Sequence, residues 1–282
     1  MDRRRLFTIA AAAAVPAAAL HLPTPQPATG QTTMSDRSTA DSGRAAASVS
    51  NIVLVHGAFA DGAGWRGVYD ALTARGLRVS IVQNPLTSFA DDVAATRRVL
   101  HRQDGPAILV GHSYGGSVIT EAGVDPKVAG LVYVAAFAPE PGQSTLDQYA
   151  EVPPPPNFVP EEQPDGFAFL NREKFRAGFA ADMSEPDAAF LRDSQVPIAM
   201  AALRAKVTVA AWKSKPSWYV VATEDGAIAP ELLRRTARRI GATTTEVTGS
   251  HVVFATQPRA VAAVIEAAAI EAAALGALKP AR

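Results

Sequence analysis

The chain has 282 residues, 48% of them hydrophobic, and its 27 basic and 27 acidic side chains cancel to a formal net charge of zero. That length admits one large α/β domain or two small ones, and the charge balance gives no electrostatic reason to expect nucleic acid or an anionic membrane as a partner. The absence of cysteine excludes disulfides, thiol catalysis and thiolate metal sites, and the histidines, His21, His56, His101, His112 and His251, lack metal-ligand spacing, so neither metal nor cofactor is expected.

The chain opens with Arg3-Arg4-Arg5-Leu6-Phe7 and continues through an alanine-rich apolar stretch interrupted by Pro16. A basic start, an apolar middle and small residues such as Ala17 and Ala19 read as an export signal over residues 1–30. The Arg4-Arg5-x-Phe7 element resembles a twin-arginine signal, which exports folded proteins to the periplasm or beyond. The stretch is short for a membrane span and mostly alanine, which inserts weakly, so no stable membrane association is expected once the signal is removed. Residues 31–50 are rich in Ser, Thr, Ala and Gly without a hydrophobic period, and read as a disordered linker. The folded domain is then residues 51–282.

From Asn51 the pattern changes. Ile52-Val53-Leu54-Val55 is a buried-strand signature that ends at His56-Gly57. In order there follow a helix over 65–75 stopped by Gly76, a strand over 78–82, a helix over 90–102, a strand over 106–110 and a helix over 114–122. A fourth strand covers 128–134, a fifth 217–222, a helix 230–240 and a sixth strand 244–247, before a long alanine-rich helix from Pro258. This alternation predicts an α/β fold: a mostly parallel sheet of about six strands with helices on both faces. Residues 139–215 break the rhythm with a proline run at 153–156 and spaced apolar residues Phe167, Phe169, Leu170, Phe175 and Phe179. Helical pieces near 188–193 and 198–206 complete the expectation of a small helical cap inserted after the fourth strand.

Gly111-His112-Ser113-Tyr114-Gly115 fits G-x-S-x-G and lies between an apolar strand and a helix, where a nucleophile must stand on a tight turn to expose its hydroxyl. Glycines at 111 and 115 relieve crowding around such a turn. His251 is the one histidine beyond Ser113, and it follows the sixth strand, as a general base in this chain order should. His56 and His112 read as supporting residues, and His101 as a solvated helix residue. Thr223-Glu224-Asp225-Gly226, after the fifth strand, offers two carboxylates to orient the imidazole. Asp225 is favoured because a turn residue before Gly226 can aim a short carboxylate, with Glu224 as the alternative. The oxyanion donors expected are the amides of Tyr114 and of Ala58, with Phe59 second to Ala58. Phe59, Trp65, Tyr114, Phe137 and Phe254 flank these motifs, with Phe179 above them in the cap. Rings of this kind ordinarily belong to the core, but as a group beside the turn they point to an apolar substrate pocket.

His56-Gly57-Ala58, Gly64-Trp65, Gly111-His112-Ser113-Tyr114-Gly115-Gly116, Asp225 and His251 together resemble the α/β-hydrolase superfamily. More narrowly, they resemble its compact branch of plant methyl-ester esterases and hydroxynitrile lyases, over residues from about 51 to 275. The resemblance favours Asp225 over Glu224 by its spacing to Ile228 and Pro230. Hydroxynitrile lyases of that branch carry a threonine after the first histidine and a lysine after the catalytic one, where this chain has Gly57 and Val252. Ser113 likewise departs from haloalkane dehalogenases and epoxide hydrolases, whose elbow nucleophile is aspartate. The resemblance therefore implies a cofactor-free carboxylesterase acting on small to medium apolar or aryl esters through an acyl-enzyme on Ser113. A non-catalytic small-molecule binder on the same scaffold and a cofactor-free perhydrolase are the alternatives.

Overall fold

The computed structural model describes residues 49–277. The export-signal reading, and the linker reading except at Val49 and Ser50, lie outside the described residues. Asn51–Val55 forms β1, and all five of its residues are buried, as a run of β-branched and leucine side chains covered on both faces requires. Arg78–Val82 is β2, Ala107–His112 β3 and Val128–Val134 β4. The cap contributes β5 (Pro160–Glu162), β6 (Phe167–Leu170) and β7 (Ile198–Ala199), after which the main sheet resumes with β8 (Ser217–Ala222) and β9 (Thr243–Val247).

The main sheet has the order β2-β1-β3-β4-β8-β9, and every pairing in it is parallel. Since β1 lies between β2 and β3, successive crossovers run in opposite directions from it. Right-handed crossovers then put helix Arg66–Thr73 on one face and helices Phe89–His101 and Gly115–Ala122 on the other. The long C-terminal helix Pro258–Ala277 joins the first face by packing on Arg66–Thr73. The loops after β1 and β3 diverge at this switch point, which opens a crevice at the carboxyl edge of the sheet. Among the described residues, no helix is long and apolar enough to cross a membrane.

Two expectations need correction. The predicted helix over 65–75 begins as a 3-10 turn, Gly62–Trp65, capped by the Asp61 carboxylate on the Ala63 amide, and becomes α-helical only at Arg66. The cap is not purely helical. Besides helices Thr145–Tyr149, Phe175–Phe179, Glu185–Asp193 and Met200–Arg204, it holds the antiparallel sheet β5-β6-β7. Phe167-Ala168-Phe169-Leu170 buries Ala168 and Leu170 and exposes Phe169, a period of two that belongs to a strand.

Candidate active site

β3 ends at His112, and the helix that follows starts at Gly115, leaving two residues to reverse the chain. Ser113 sits at that reversal with φ of +53°, in the left-handed region that non-glycine residues avoid. The turn is so tight that a Cβ on Gly111 would lie 2.5 Å from the Gly115 carbonyl oxygen, and one on Gly115 2.7 Å from that of His56.

His251 Nε2 lies 2.9 Å from Ser113 Oγ, and its Nδ1 2.7 Å from Asp225 Oδ2. The carboxylate demands the ring proton at Nδ1, so Nε2 presents a lone pair and the serine hydroxyl donates to it. The other carboxylate oxygen, Oδ1, accepts the Ala227 and Ile228 amides, each at 2.8 Å, which fixes the acid before it meets the histidine. Ser113, Asp225 and His251 are all buried. Glu224, the alternative acid, is exposed, and its amide donates to the Gly249 carbonyl, tying the acid loop to the histidine loop.

The chain after β1 is held by His56. Its Nδ1–H donates to the Gly57 carbonyl and its Nε2 accepts the Asn84 amide, both at 2.9 Å, while the Asn84 side chain donates to the His56 carbonyl. Burial lowers the His56 pKa, which favours this neutral form. Phe59, three residues on, has φ of +62°. Among the described residues the amides of Ala58 and Tyr114 enter no backbone hydrogen bond, and both residues face the space over Ser113. His112 donates from Nε2 to the His251 carbonyl at 2.9 Å, and its ring centroid lies 4.7 Å from that of His251. Burial, then the neighbouring His251, hold the His112 pKa well below its ordinary value.

A cavity of about 60 Å³ opens over Ser113 and His251. Phe59, Tyr114, Phe137 and Phe179 line it, and no Asp, Glu, Lys or Arg side chain does. Trp65 and Phe254 do not. Their rings lie 4.6 Å apart and pack on His112, so they back the turn from the core side and belong to the bulk of buried aromatics. No group of three or more His, Asp or Glu side chains among the described residues is placed to hold a metal ion.

A serine on a strained strand-to-helix turn at the edge of a parallel sheet, bonded to a histidine and an acid from later loops, is matched by a family model. The model of the alpha/beta hydrolase family fits residues 52–264. The chain belongs to that family.

Among its relatives is a carbendazim-hydrolysing esterase of Nocardioides sp. (strain SG-4G), 35% identical over 123 residues, which are 38% of this chain and 50% of the relative. A pyrethroid hydrolase of Sphingobium wenxiniae is 38% identical over 109 residues, 33% of this chain and 38% of the relative. The chain thus spans about half or less of the length of these curated relatives. An extracellular alpha/beta-hydrolase from a Paenibacillus species superposes with a TM-score of 0.67 at 24% identity, covering 77% of this chain and 98% of that one, a likeness of fold.

In this α/β-hydrolase the cap supplies lining residues that sequence motifs do not reveal, among them Tyr149, Phe158, Met200 and Leu203. The one usable signal was the proline run just before Phe158, which marks a stiff segment without saying what it faces. Tyr149 donates its hydroxyl to the Ala227 carbonyl at 3.0 Å, bracing the acid loop from above.

Proposed function

We propose that the protein is a serine carboxylesterase that cleaves small to medium apolar or aryl esters through an acyl-enzyme on Ser113. The observation that carries this reading is the unbroken hydrogen-bond chain from Ser113 through His251 to Asp225 beneath a pocket free of charged side chains. The esterase and hydrolase names of the two curated relatives support it.

In the first half-reaction His251 Nε2 takes the serine proton as Oγ bonds to the ester carbonyl carbon. Negative charge then collects on the former carbonyl oxygen, where the Ala58 and Tyr114 amides can donate to it. The imidazolium, paired with Asp225, returns its proton to the leaving alkoxide as the carbon–oxygen bond breaks. Water, deprotonated by the same nitrogen, releases the acid and restores the serine. A pocket without charge suits a neutral acyl chain or ring, because a buried unpaired ion on the substrate would lose its hydration without compensation. Export through the twin-arginine-like segment belongs to the same proposal and rests on residues 1–30 alone.

The test is hydrolysis of p-nitrophenyl acetate, butyrate and octanoate by the full chain beside Ser113→Ala. We expect clear turnover that falls by at least about 10³-fold in the variant. Folded wild-type protein that turns over none of the three, and that a fluorophosphonate leaves unlabelled at Ser113, would sink the reading.

A further inference from the structure

We infer that Phe158 is the specificity-determining residue of this pocket: it roofs the reacting centre from the cap and limits how long an ester chain can enter. The inference rests on the esterase reading above. The four prolines at 153–156 each lock φ and restrict the residue before them, so the segment approaches the pocket as a stiff strap. Its last turn is closed by the Phe158 amide on the Pro155 carbonyl at 3.3 Å. The strap is seated on helix Phe175–Phe179 at a position only glycine allows, since a Cβ on Gly178 would lie 2.2 Å from the Asn157 carbonyl oxygen. Stiffness and seat together fix where the next side chain, Phe158, goes.

That side chain bridges both sides of the reaction. Its ring centroid is 6.1 Å from Phe59 on the oxyanion loop, 6.0 Å from Tyr149, and 6.4 Å from Phe179. Phe179 in turn lies 5.0 Å from the His251 ring. The Phe158 ring therefore closes the space above Ser113 from the carbonyl-oxygen side to the leaving-group side. The enclosed volume, about 60 Å³, is well short of the roughly 300 Å³ at which pockets for drug-sized ligands begin. Of the rings that bound it, Phe137 and Phe179 are buried in the core and Tyr149 is pinned by its hydroxyl to Ala227. Phe158 is only half-buried and lies between exposed Asn157 and exposed Pro160, so shortening it joins the cavity to solvent without opening the core.

The experiment compares kcat/KM for p-nitrophenyl acetate, butyrate and octanoate in full-length wild type, Phe158→Ala and Phe158→Trp, with fluorophosphonate labelling of Ser113 in each. The octanoate-to-acetate ratio should rise on the order of tenfold or more in Phe158→Ala, because extra methylenes then find room, and fall in Phe158→Trp. Labelling by a small fluorophosphonate should persist in both variants, since the triad is untouched. A ratio that stays put in both variants overturns the inference. So does a proportional loss on all three esters with slowed labelling, which would make Phe158 a support for the triad. In either case an active wild type leaves the esterase reading standing, whereas a folded but inactive and unlabelled wild type removes both.

Discussion

Asp92 has no exposed surface, yet it is a carboxylate. Its Oδ1 accepts the Leu86 amide at 2.8 Å and its Oδ2 the Tyr114 hydroxyl at 2.7 Å. It thereby holds Leu86 at φ of +57° and the ring of the residue whose amide is the proposed oxyanion donor. Burial pushes its pKa up to about 6, against the pull of those two hydrogen bonds and with a further push from Asp91. The unfolded chain ionises this group near its ordinary carboxylate value, so between there and pH 6 the native state binds the extra proton. Stability from this group is therefore greatest at low pH and declines as pH rises from about 4 to about 6, by about 1–3 kcal/mol. Asp92→Asn keeps an acceptor for Leu86 but removes the titration. Urea midpoints measured across pH 4 to 7 should show wild type losing ground to the variant by that amount, and parallel curves would refute the assignment. In the sequence, Asp91-Asp92 looks like a pair of dipole-facing acids at a helix start, and Asp91 is one, bonded to the N-cap Ser88. Asp92 shares the inward face of Phe89, Val93, Thr96 and Leu100. The helical period could have picked it out, but only tertiary structure supplies the tyrosine that makes a buried acid tolerable.

Between the elements, the cap holds the histidine loop directly. Asp182, which joins helices Phe175–Phe179 and Glu185–Asp193, accepts the Ser250 amide at 3.1 Å and the Thr256 hydroxyl at 2.8 Å. Burial opposes its ionisation, but the hydrogen bonds from Ser250 and Thr256 outweigh it and leave the pKa below the ordinary carboxylate value. The latch is thus fully formed at neutral pH and its contribution is lost only as pH falls through that depressed value. Ser250 precedes His251, so releasing the latch should misplace the base more than the pocket. Asp182→Ala should lower kcat by about 10- to 100-fold with a smaller change in KM, and Asp182→Asn, which retains an acceptor, should recover part of it. Steady-state kinetics on one p-nitrophenyl ester decide the matter: a rise in KM at constant kcat would mean that the latch shapes the pocket instead. His251 was legible from chain order, because order is a property of the chain. The latch on its loop was not, because Asp182 and Ser250 lie 68 positions apart in the chain. β6 pairs with β5 as a local hairpin, Glu162 opposite Ala168, and only its second pairing, Phe167 opposite Ala199 in β7, depends on a distant part of the chain.

Across the whole molecule, strain collects where the chemistry is. The four non-glycine residues with positive φ among those described, Phe59, Leu86, Ser113 and Ala135, follow β1, β2, β3 and β4 at the carboxyl edge of one sheet. Strain of this sort persists only when the surrounding packing over-determines it, and the buried strands beneath provide that packing. Those strands were readable because a parallel sheet covered on both faces leaves unbroken apolar runs in each strand. The fold's beginning was less readable. Composition shifts at Asn51, yet Val49 is buried in the core, and Ser50 takes the Arg78 amide on its carbonyl at 2.8 Å and an Arg78 guanidinium N–H on its hydroxyl at 3.1 Å. A single valine carries too little pattern to be seen beside a polar run, though its burial is physically ordinary. Removing it with Ser50 should cost about 1–2 kcal/mol. A chain starting at Asn51 should therefore unfold at a lower urea concentration than one starting at Val49, with an unchanged slope of stability against denaturant. Coincident midpoints would put the boundary of the folded unit back at residue 51, and would mean that the Ser50–Arg78 contacts add nothing that the strand pairing of β1 with β2 does not already supply.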